Sequence, residues 1–159
     1  MTVSIYFRKL HPEAQLPRRG TPGSIGLDIY AHLLTEDGRP NNVMIPSCAT
    51  RPIPTGLAFD PKSIDPLEPW TAFICSRSGM AGNSVFVANA PGIIDPDYTG
   101  ELCVLLFNGS HQTFYVRHGD RIAQLVLVKT IFAETIESQS EKPTIVTKRG
   151  AKGFGSTGR

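Results

Sequence analysis

One ten-residue stretch decides how this sequence is interpreted: Gly92-Ile93-Ile94-Asp95-Pro96-Asp97-Tyr98-Thr99-Gly100-Glu101. Aspartate followed by proline favours the first two positions of a type I turn, and the flanking glycines let the backbone bend. Two isoleucines lead into the turn, and a strand-like run over residues 102–107 follows it. The residues alone fit either an ordinary hairpin turn or a site that holds two carboxylates beside an aromatic ring.

Outward from this stretch, the pattern is that of short β-strands. Apolar residues alternate or cluster over 3–7, 26–31, 43–45, 56–59, 70–75, 85–87, 101–108, 114–116 and 121–128. Only residues 78–83 suggest a turn of helix, and 15 glycines and 13 prolines separate the strands at close spacing. This pattern predicts an all-β fold, either an antiparallel sandwich or a barrel.

Size and charge narrow the class of protein. A chain of 159 residues predicts one domain. A net charge of +2 argues against a nucleic-acid partner. The sequence lacks a secretion-like apolar start and a membrane-spanning apolar run, so we expect a soluble, intracellular protein of the cytoplasm or nucleus, with no membrane partner. We expect residues 1–140 to form the β domain and residues 141–159, which are basic and rich in glycine, to form a flexible tail.

Three further places in the sequence carry polar groups next to apolar runs, and the first of them is suited to phosphate. The segment Ser76-Arg77-Ser78-Gly79 offers guanidinium, hydroxyl and backbone donors at the end of an apolar strand, although an ordinary turn has the same composition. Gln124 alternates with apolar residues and therefore needs hydrogen-bond partners. Asp28 is a lone acid in an apolar run, which a carboxylate satisfied by backbone N–H groups would also explain.

The end of the chain also has phosphate-binding character. Residues 149–158 combine glycines, hydroxyls and cations, which can wrap a polyphosphate through backbone N–H groups. Ser156 stands where a Walker A loop needs lysine, so that motif is excluded. A disordered terminus remains the alternative, although Phe154 between two glycines could stack on a base.

Taken together, five segments resemble, in order, the five motifs of the trimeric dUTPases: residues 24–29, 76–81, 92–101, 119–125 and 149–158. The resemblance implies a jelly-roll-like antiparallel β-barrel that hydrolyses dUTP to dUMP and pyrophosphate with Mg²⁺. It also implies a homotrimer whose sites are shared between subunits, with the third and fifth motifs from separate chains. This sequence departs from the usual pattern at Ile25, Ser76 and Lys152, among other positions.

The same resemblance implies roles for individual residues. Asp95 resembles the acid that orients and deprotonates the attacking water, and Tyr98 the ring that packs on the deoxyribose. The residues that resemble the uracil-reading hairpin are Asn89, Gly92, Ile93, Ile94 and Cys103.

Phosphate and metal roles are implied in the same way. Asp28 is similar to an acid on the metal side of the site, which acts through water. The residues that match the phosphate cradle are Arg77, Ser78, Gly79 and Gln124. The residues that match a tail closing over the site are Arg149, Phe154, Gly155, Ser156 and Thr157.

Two alternatives stay open at this level. One is a dCTP deaminase of the same fold, which Asp95 and the tail disfavour. The other is a binding or signalling protein that uses the nucleotide as a switch, either alone or beside catalysis.

Overall fold

The computed structural model describes residues 4–60 and 70–140, together with 145, 147, 150 and 151. Its elements are short strands and a single turn of helix, in the order β1 (Phe7–Lys9), β2 (Arg18–Arg19), β3 (Leu27–Tyr30), β4 (Asn42–Ile45), β5 (Ala49–Phe59), β6 (Trp70–Cys75), α1 (Ser78–Ala81), β7 (Val85–Val87), β8 (Gly92–Ile94), β9 (Glu101–Asn108), β10 (Phe114–Arg117) and β11 (Arg121–Lys129).

Within the described residues, the strands form three antiparallel sheets. One has the order β1-β5-β9-β7, a second the order β2-β3-β11-β6-β8, and β10 pairs with β4 in a ribbon. Buried side chains from all three sheets pack into one apolar core, including Ile53, Leu106, Val116 and Leu125. The predicted all-β, antiparallel fold is therefore confirmed. Strand pairing in the described residues stays within these sheets, which enclose the core without a continuous hydrogen-bonded barrel.

Strand β5 is longer than the sequence indicated. The prolines at 52 and 54 predicted a strand that starts only at residue 56, yet β5 begins at Ala49. Over Ala49–Pro54 it pairs with β9, whereas β1 pairs with it only at Leu57–Phe59. Both prolines thus lie where β5 is free of β1, and an edge position tolerates a residue without an N–H donor.

Two other boundaries also differ from the sequence prediction. Strand β1 covers Phe7–Lys9, whereas alternation had predicted residues 3–7. Gly92–Ile94, which was read as the approach to a turn, forms β8 and pairs with β6 at the end of the five-stranded sheet. The predicted helical turn after residue 77 is confirmed as α1. No helix in the described ranges is long and apolar enough to cross a membrane.

Candidate active site

Three neighbouring strands bring the predicted phosphate-binding groups together. Gln124 on β11 lies opposite Asp28 on β3 and opposite Cys75 at the end of β6, two residues before Arg77. Gln124, Asp28 and Arg77 line a cavity of about 410 Å³, here called the phosphate pocket after the role predicted for it. Its walls consist of Gly20, Ser24, Ile25, Gly26, Asp28, Arg77, Ser78, Gly79, Arg121 and Gln124. The pocket therefore unites segments that are far apart in the chain.

Asp28 orients two arginines at this pocket. Arg77 Nε donates to Asp28 Oδ1 at 2.9 Å, and Arg121 Nη1 donates to Asp28 Oδ2 at 3.2 Å. The Asp28 side chain is only 14% exposed, so its carboxylate is largely screened from solvent while both guanidinium groups reach the pocket wall. Arg77 Nη1 also donates to the Arg121 carbonyl at 3.2 Å. Two cations against one anion leave an excess positive charge where a phosphate would bind.

Gln124 has the partner that its sequence context required. Its Nε2 donates to the Ser76 carbonyl at 2.9 Å, and the Ser76 hydroxyl accepts from the Val87 N–H at 2.9 Å. A side chain at Gly26 would place its Cβ 2.5 Å from Gln124 Oε1. Glycine at position 26 is therefore needed for the observed position of the amide.

A second cavity lies at the turn that follows β8. This cavity, here called the nucleoside cleft after the role predicted for its residues, has a volume of about 330 Å³. It is lined by Ile93, Ile94, Asp95, Tyr98, Glu101, Leu102, Cys103 and Leu105. The Tyr98 N–H donates to the Asp95 carbonyl at 3.0 Å, which confirms the predicted turn. Asp95 is solvent-exposed. Its carboxylate can therefore meet a water molecule and a ligand at the same time.

The turn is braced on both sides. The Tyr98 hydroxyl donates to the Glu101 carbonyl at 2.9 Å, and Arg8 Nη2 donates to the Thr99 carbonyl at 2.8 Å. The tyrosine ring lies directly over Gly100, where an added Cβ would be 2.6 Å from the hydroxyl oxygen. A glycine at this position is what lets the ring fold back along the turn.

Strand β8 offers backbone groups to a ligand. It is the outermost strand of its sheet, with only β6 as a neighbour in the described residues, so part of its N–H and C=O groups remain unpaired by the ladder. Asn89 packs against its first residue, with Nδ2 3.1 Å from the position of a Cβ on Gly92. Burial, and next the charge of Glu101, raises the pKa of the Cys103 thiol. Cys103 therefore contributes a neutral wall to the cleft.

The two cavities lie at opposite ends of β6. Thr71, near its start, donates its hydroxyl to the carbonyl of Ile94, the residue before Asp95. Arg77 lies six residues further along and just beyond the other end of the strand. Six extended residues span about 20 Å. The backbones of Asp95 and Arg77 in one chain are therefore about 20 Å apart along the direction of β6.

Comparison with known proteins decides the family. The sequence model of the dUTPase family matches residues 12–158. The chain belongs to the dUTPase family. Among its curated relatives is the deoxyuridine 5'-triphosphate nucleotidohydrolase of Leptospira interrogans, 38% identical, with 98% of this chain and 99% of the relative covered. The enzyme of the same name from Helicobacter pylori is also 38% identical, with 98% and 97% covered.

Solved structures of the family share the fold. The dUTPase of Staphylococcus bacteriophage 80alpha, solved with dUPNHPP, has a TM-score of 0.80 and 24% identity, with 99% and 100% of the two chains covered. A mutant of the dUTPase of phage phi11 of S. aureus, described with a structural Mg(II) ion, has a TM-score of 0.71 and 20% identity, with 88% and 99% covered. Both confirm a dUTPase-like architecture for this chain.

The dUTPase motifs predicted most of the lining residues but missed two connections. Arg121 was not singled out, because its role depends on Asp28, which is 93 positions away. Glu101 was read only as the end of the turn, although it lines the cleft. Residues Arg149, Phe154, Gly155, Ser156 and Thr157 lie outside the described residues, so their role remains a prediction.

Proposed function

We propose that this protein hydrolyses dUTP to dUMP and pyrophosphate, with water attacking the α-phosphate. The observation that carries the proposal is the nucleoside cleft, in which an exposed carboxylate, a braced tyrosine ring and a sheet-edge backbone lie together. A fixed backbone can match the donor and acceptor pattern of uracil and leave the amino group of cytosine unpaired. The family and its curated relatives support the same activity.

Asp95 is the proposed general base. Its carboxylate accepts a proton from the attacking water, a contribution typically worth ~10²–10⁴-fold in rate. Tyr98 packs on the deoxyribose and leaves no room for a 2′-hydroxyl. The backbone of Gly92–Ile94, supported by Asn89 and walled by Cys103, reads the base.

The phosphate pocket is the proposed site for the triphosphate. Arg77 and Arg121 neutralise negative charge on the phosphates, and Gln124, Ser78 and Gly79 add neutral donors. Because Asp28 already holds both guanidinium groups, their donors are oriented before a nucleotide arrives.

The donor set fits Mg²⁺ that arrives with the nucleotide. Within the described residues, no three His, Cys, Asp or Glu side chains are grouped to hold a metal ion. Mg²⁺ commonly binds substrate phosphates and retains several waters, so Asp28 would contact it through water. When bound, the ion neutralises phosphate charge.

We further propose that the site is shared between subunits of a homotrimer. The backbone separation of about 20 Å along β6 favours this arrangement, because it places the Asp95 and Arg77 of one chain far apart for contact with the same phosphate group. Beyond β11, Ile131, Phe132 and Ile136 are 90%, 76% and 83% exposed, which also favours coverage by another subunit. We assign the closing role to the tail over residues 141–159.

Two measurements test the function. Pyrophosphate release from dUTP, dCTP, dTTP and UTP should show strong preference for dUTP and a need for Mg²⁺, whereas ammonia release from dCTP would favour a deaminase. Asp95→Asn should lower kcat by ~10²-fold or more. Asp97→Asn is the matched control, since Asp97 is also exposed in the same turn but does not line the cleft. Near-normal turnover by Asp95→Asn would refute the assignment of the base.

A further inference from the structure

Glu101 lies between the nucleoside cleft and a third cavity. This histidine cavity, of about 390 Å³, is lined by His11, Glu13, His32, Leu34, Thr35, Glu36, Gly38, Pro54 and Glu101. Glu101 also lines the cleft that contains Asp95 and Tyr98. It is the first residue of β9, so its backbone ends the turn while its side chain reaches the body of the domain. Glu101 therefore connects the nucleoside cleft with the histidine cavity.

The Glu101 carboxylate accepts a hydrogen bond from a backbone N–H that lies in a β-bulge of β5. The pairing of β5 with β9 shifts register between Pro54 and Ala58, and Gly56 within this bulge has a φ of +68°. The buried Gly56 N–H donates to Glu101 Oε1 at 2.8 Å. A buried N–H without a partner is costly, so this bond fixes where the Glu101 side chain lies.

The bulge itself is held in place. An added Cβ at Gly56 would lie 3.0 Å from His32 Cγ and 2.9 Å from Ala14 Cβ. The neighbouring Thr55 hydroxyl donates to the Leu102 carbonyl at 2.7 Å. Gly56 is therefore a closely packed anchor point for the start of β9.

On the other side of Glu101, the connection continues to Tyr98. The Tyr98 hydroxyl donates to the Glu101 backbone carbonyl at 2.9 Å, and Gly100 leaves space for the ring. A continuous path therefore runs from the Gly56 N–H through Glu101 to the tyrosine ring. Movement of the Glu101 backbone would move the acceptor that orients Tyr98.

We propose that Glu101 is a positioning residue for sugar recognition: by bonding to Gly56 it fixes the carbonyl that holds Tyr98 in the nucleoside cleft. This role rests on the proposed function, in which Tyr98 contacts the deoxyribose. The carboxylate takes no part in proton transfer. Its loss should weaken binding of dUTP and the discrimination between dUTP and UTP, while the chemical step is preserved.

Steady-state kinetics with dUTP and UTP test this proposal. Glu101→Ala removes the acceptor for Gly56 and should raise KM for dUTP about 3- to 10-fold, the range expected for a lost hydrogen bond, with kcat within about 2-fold of the unsubstituted protein. The preference for dUTP over UTP should fall by a similar factor. Glu101→Gln keeps an oxygen acceptor and should restore both values. Glu13→Ala, from the histidine cavity but not the cleft, is the matched control and should change neither.

A double-substitution cycle separates positioning from a general effect on folding. Tyr98→Phe keeps the ring but removes the bond to Glu101, so it should give a similar rise in KM. Combined with Glu101→Ala it should add little, because both changes break one path. Additive effects would overturn the proposal. So would a lowered melting temperature with unchanged KM and unchanged sugar preference, which would make Glu101 only a support for the bulge.

The remaining outcomes distinguish failure of the positioning role from failure of the proposed function. If Glu101→Ala does not fold, Glu101→Asp carries the test, because it retracts the acceptor from Gly56 while keeping the charge. Glu101→Asp should then raise KM and lower the sugar preference, and unsubstituted values for both would overturn the proposal. Absence of dUTP hydrolysis by the unsubstituted protein would instead refute the proposed function. An active protein whose sugar preference is insensitive to Glu101→Ala would refute only the positioning role.

Discussion

Two inactive variants should restore activity when they are assembled together. One chain carries Asp95→Asn and lacks the proposed base. The other carries Arg77→Gln and lacks a phosphate-binding guanidinium. In one chain these residues lie at opposite ends of β6, about 20 Å apart by the rise of an extended strand. In the proposed shared site, these two residues come from different subunits.

The expected recovery follows from this geometry. In a 1:1 mixture that assembles at random, half of the sites receive an intact Asp95 and, independently, half receive an intact Arg77. About one quarter of the sites then have both groups, so activity should reach about one quarter of that of the unsubstituted protein. The activity of each variant alone should stay low, and that of Asp95→Asn should be reduced by ~10²-fold because the base is lost. Loss of a charge-assisted bond to phosphate costs about 1.5–3 kcal/mol, or roughly 10- to 100-fold.

The assay is pyrophosphate release after the two chains are unfolded and refolded together, with mass spectrometry to verify mixed assemblies. A chain with both substitutions is the matched control. Mixed 1:1 with the unsubstituted protein, it should leave about one quarter of the activity, whereas sites built within one chain would leave about half. No recovery in verified mixtures of the two single variants would refute the shared site and leave dUTP hydrolysis untouched.

Three further predictions concern single positions. Burial, and next a neighbouring imidazole, lowers the pKa of His32 below the unfolded value of 6.5. The unfolded chain then binds more protons than the folded chain, so the folded state loses stability as the pH falls below about 6.5. His32→Asn should therefore reduce the drop in melting temperature between pH 7.5 and pH 5.5. His111→Asn, at an exposed site, should leave that drop unchanged. Gly26→Ala should displace the Gln124 amide and raise KM for dUTP without unfolding the domain, and an unchanged KM would contradict the packing described at 2.5 Å. Asn108 is fully buried and bonds to three neighbouring residues, so Asn108→Ala should lower the free energy of unfolding in urea by about 2–4 kcal/mol, and a change below about 1 kcal/mol would refute that role.

Local chemistry made much of this protein predictable. The turn at Asp95–Tyr98 and the helical turn after Arg77 follow from residues adjacent in sequence, and both form as predicted. The prolines of β5 led to a wrong prediction of where that strand begins. Their effect depends on which strand lies next to β5 at each position. Sequence periodicity cannot supply that information, since it describes one strand at a time.

Contacts between residues far apart in the sequence account for the other features that could not be predicted. The ion pair of Arg121 with Asp28 and the bond of Glu101 to Gly56 join residues 93 and 45 positions apart. Nothing near each residue in the sequence marks its partner, because the strand order brings them together. The tail was assigned from its composition and its motif, and most of its residues, including Arg149 and Phe154, lie outside the described ranges.

The outermost position of β8 has a consequence for how this protein can change. Under the proposed function, the base is read by peptide groups of Gly92–Ile94, and every amino acid except proline presents the same peptide N–H and C=O. Replacement of the exposed Ile93 side chain should therefore leave base preference intact. A new preference would require a different path of the chain, which demands several coordinated substitutions or an insertion. Selectivity built in this way resists drift by point mutation and equally resists redesign by side-chain exchange.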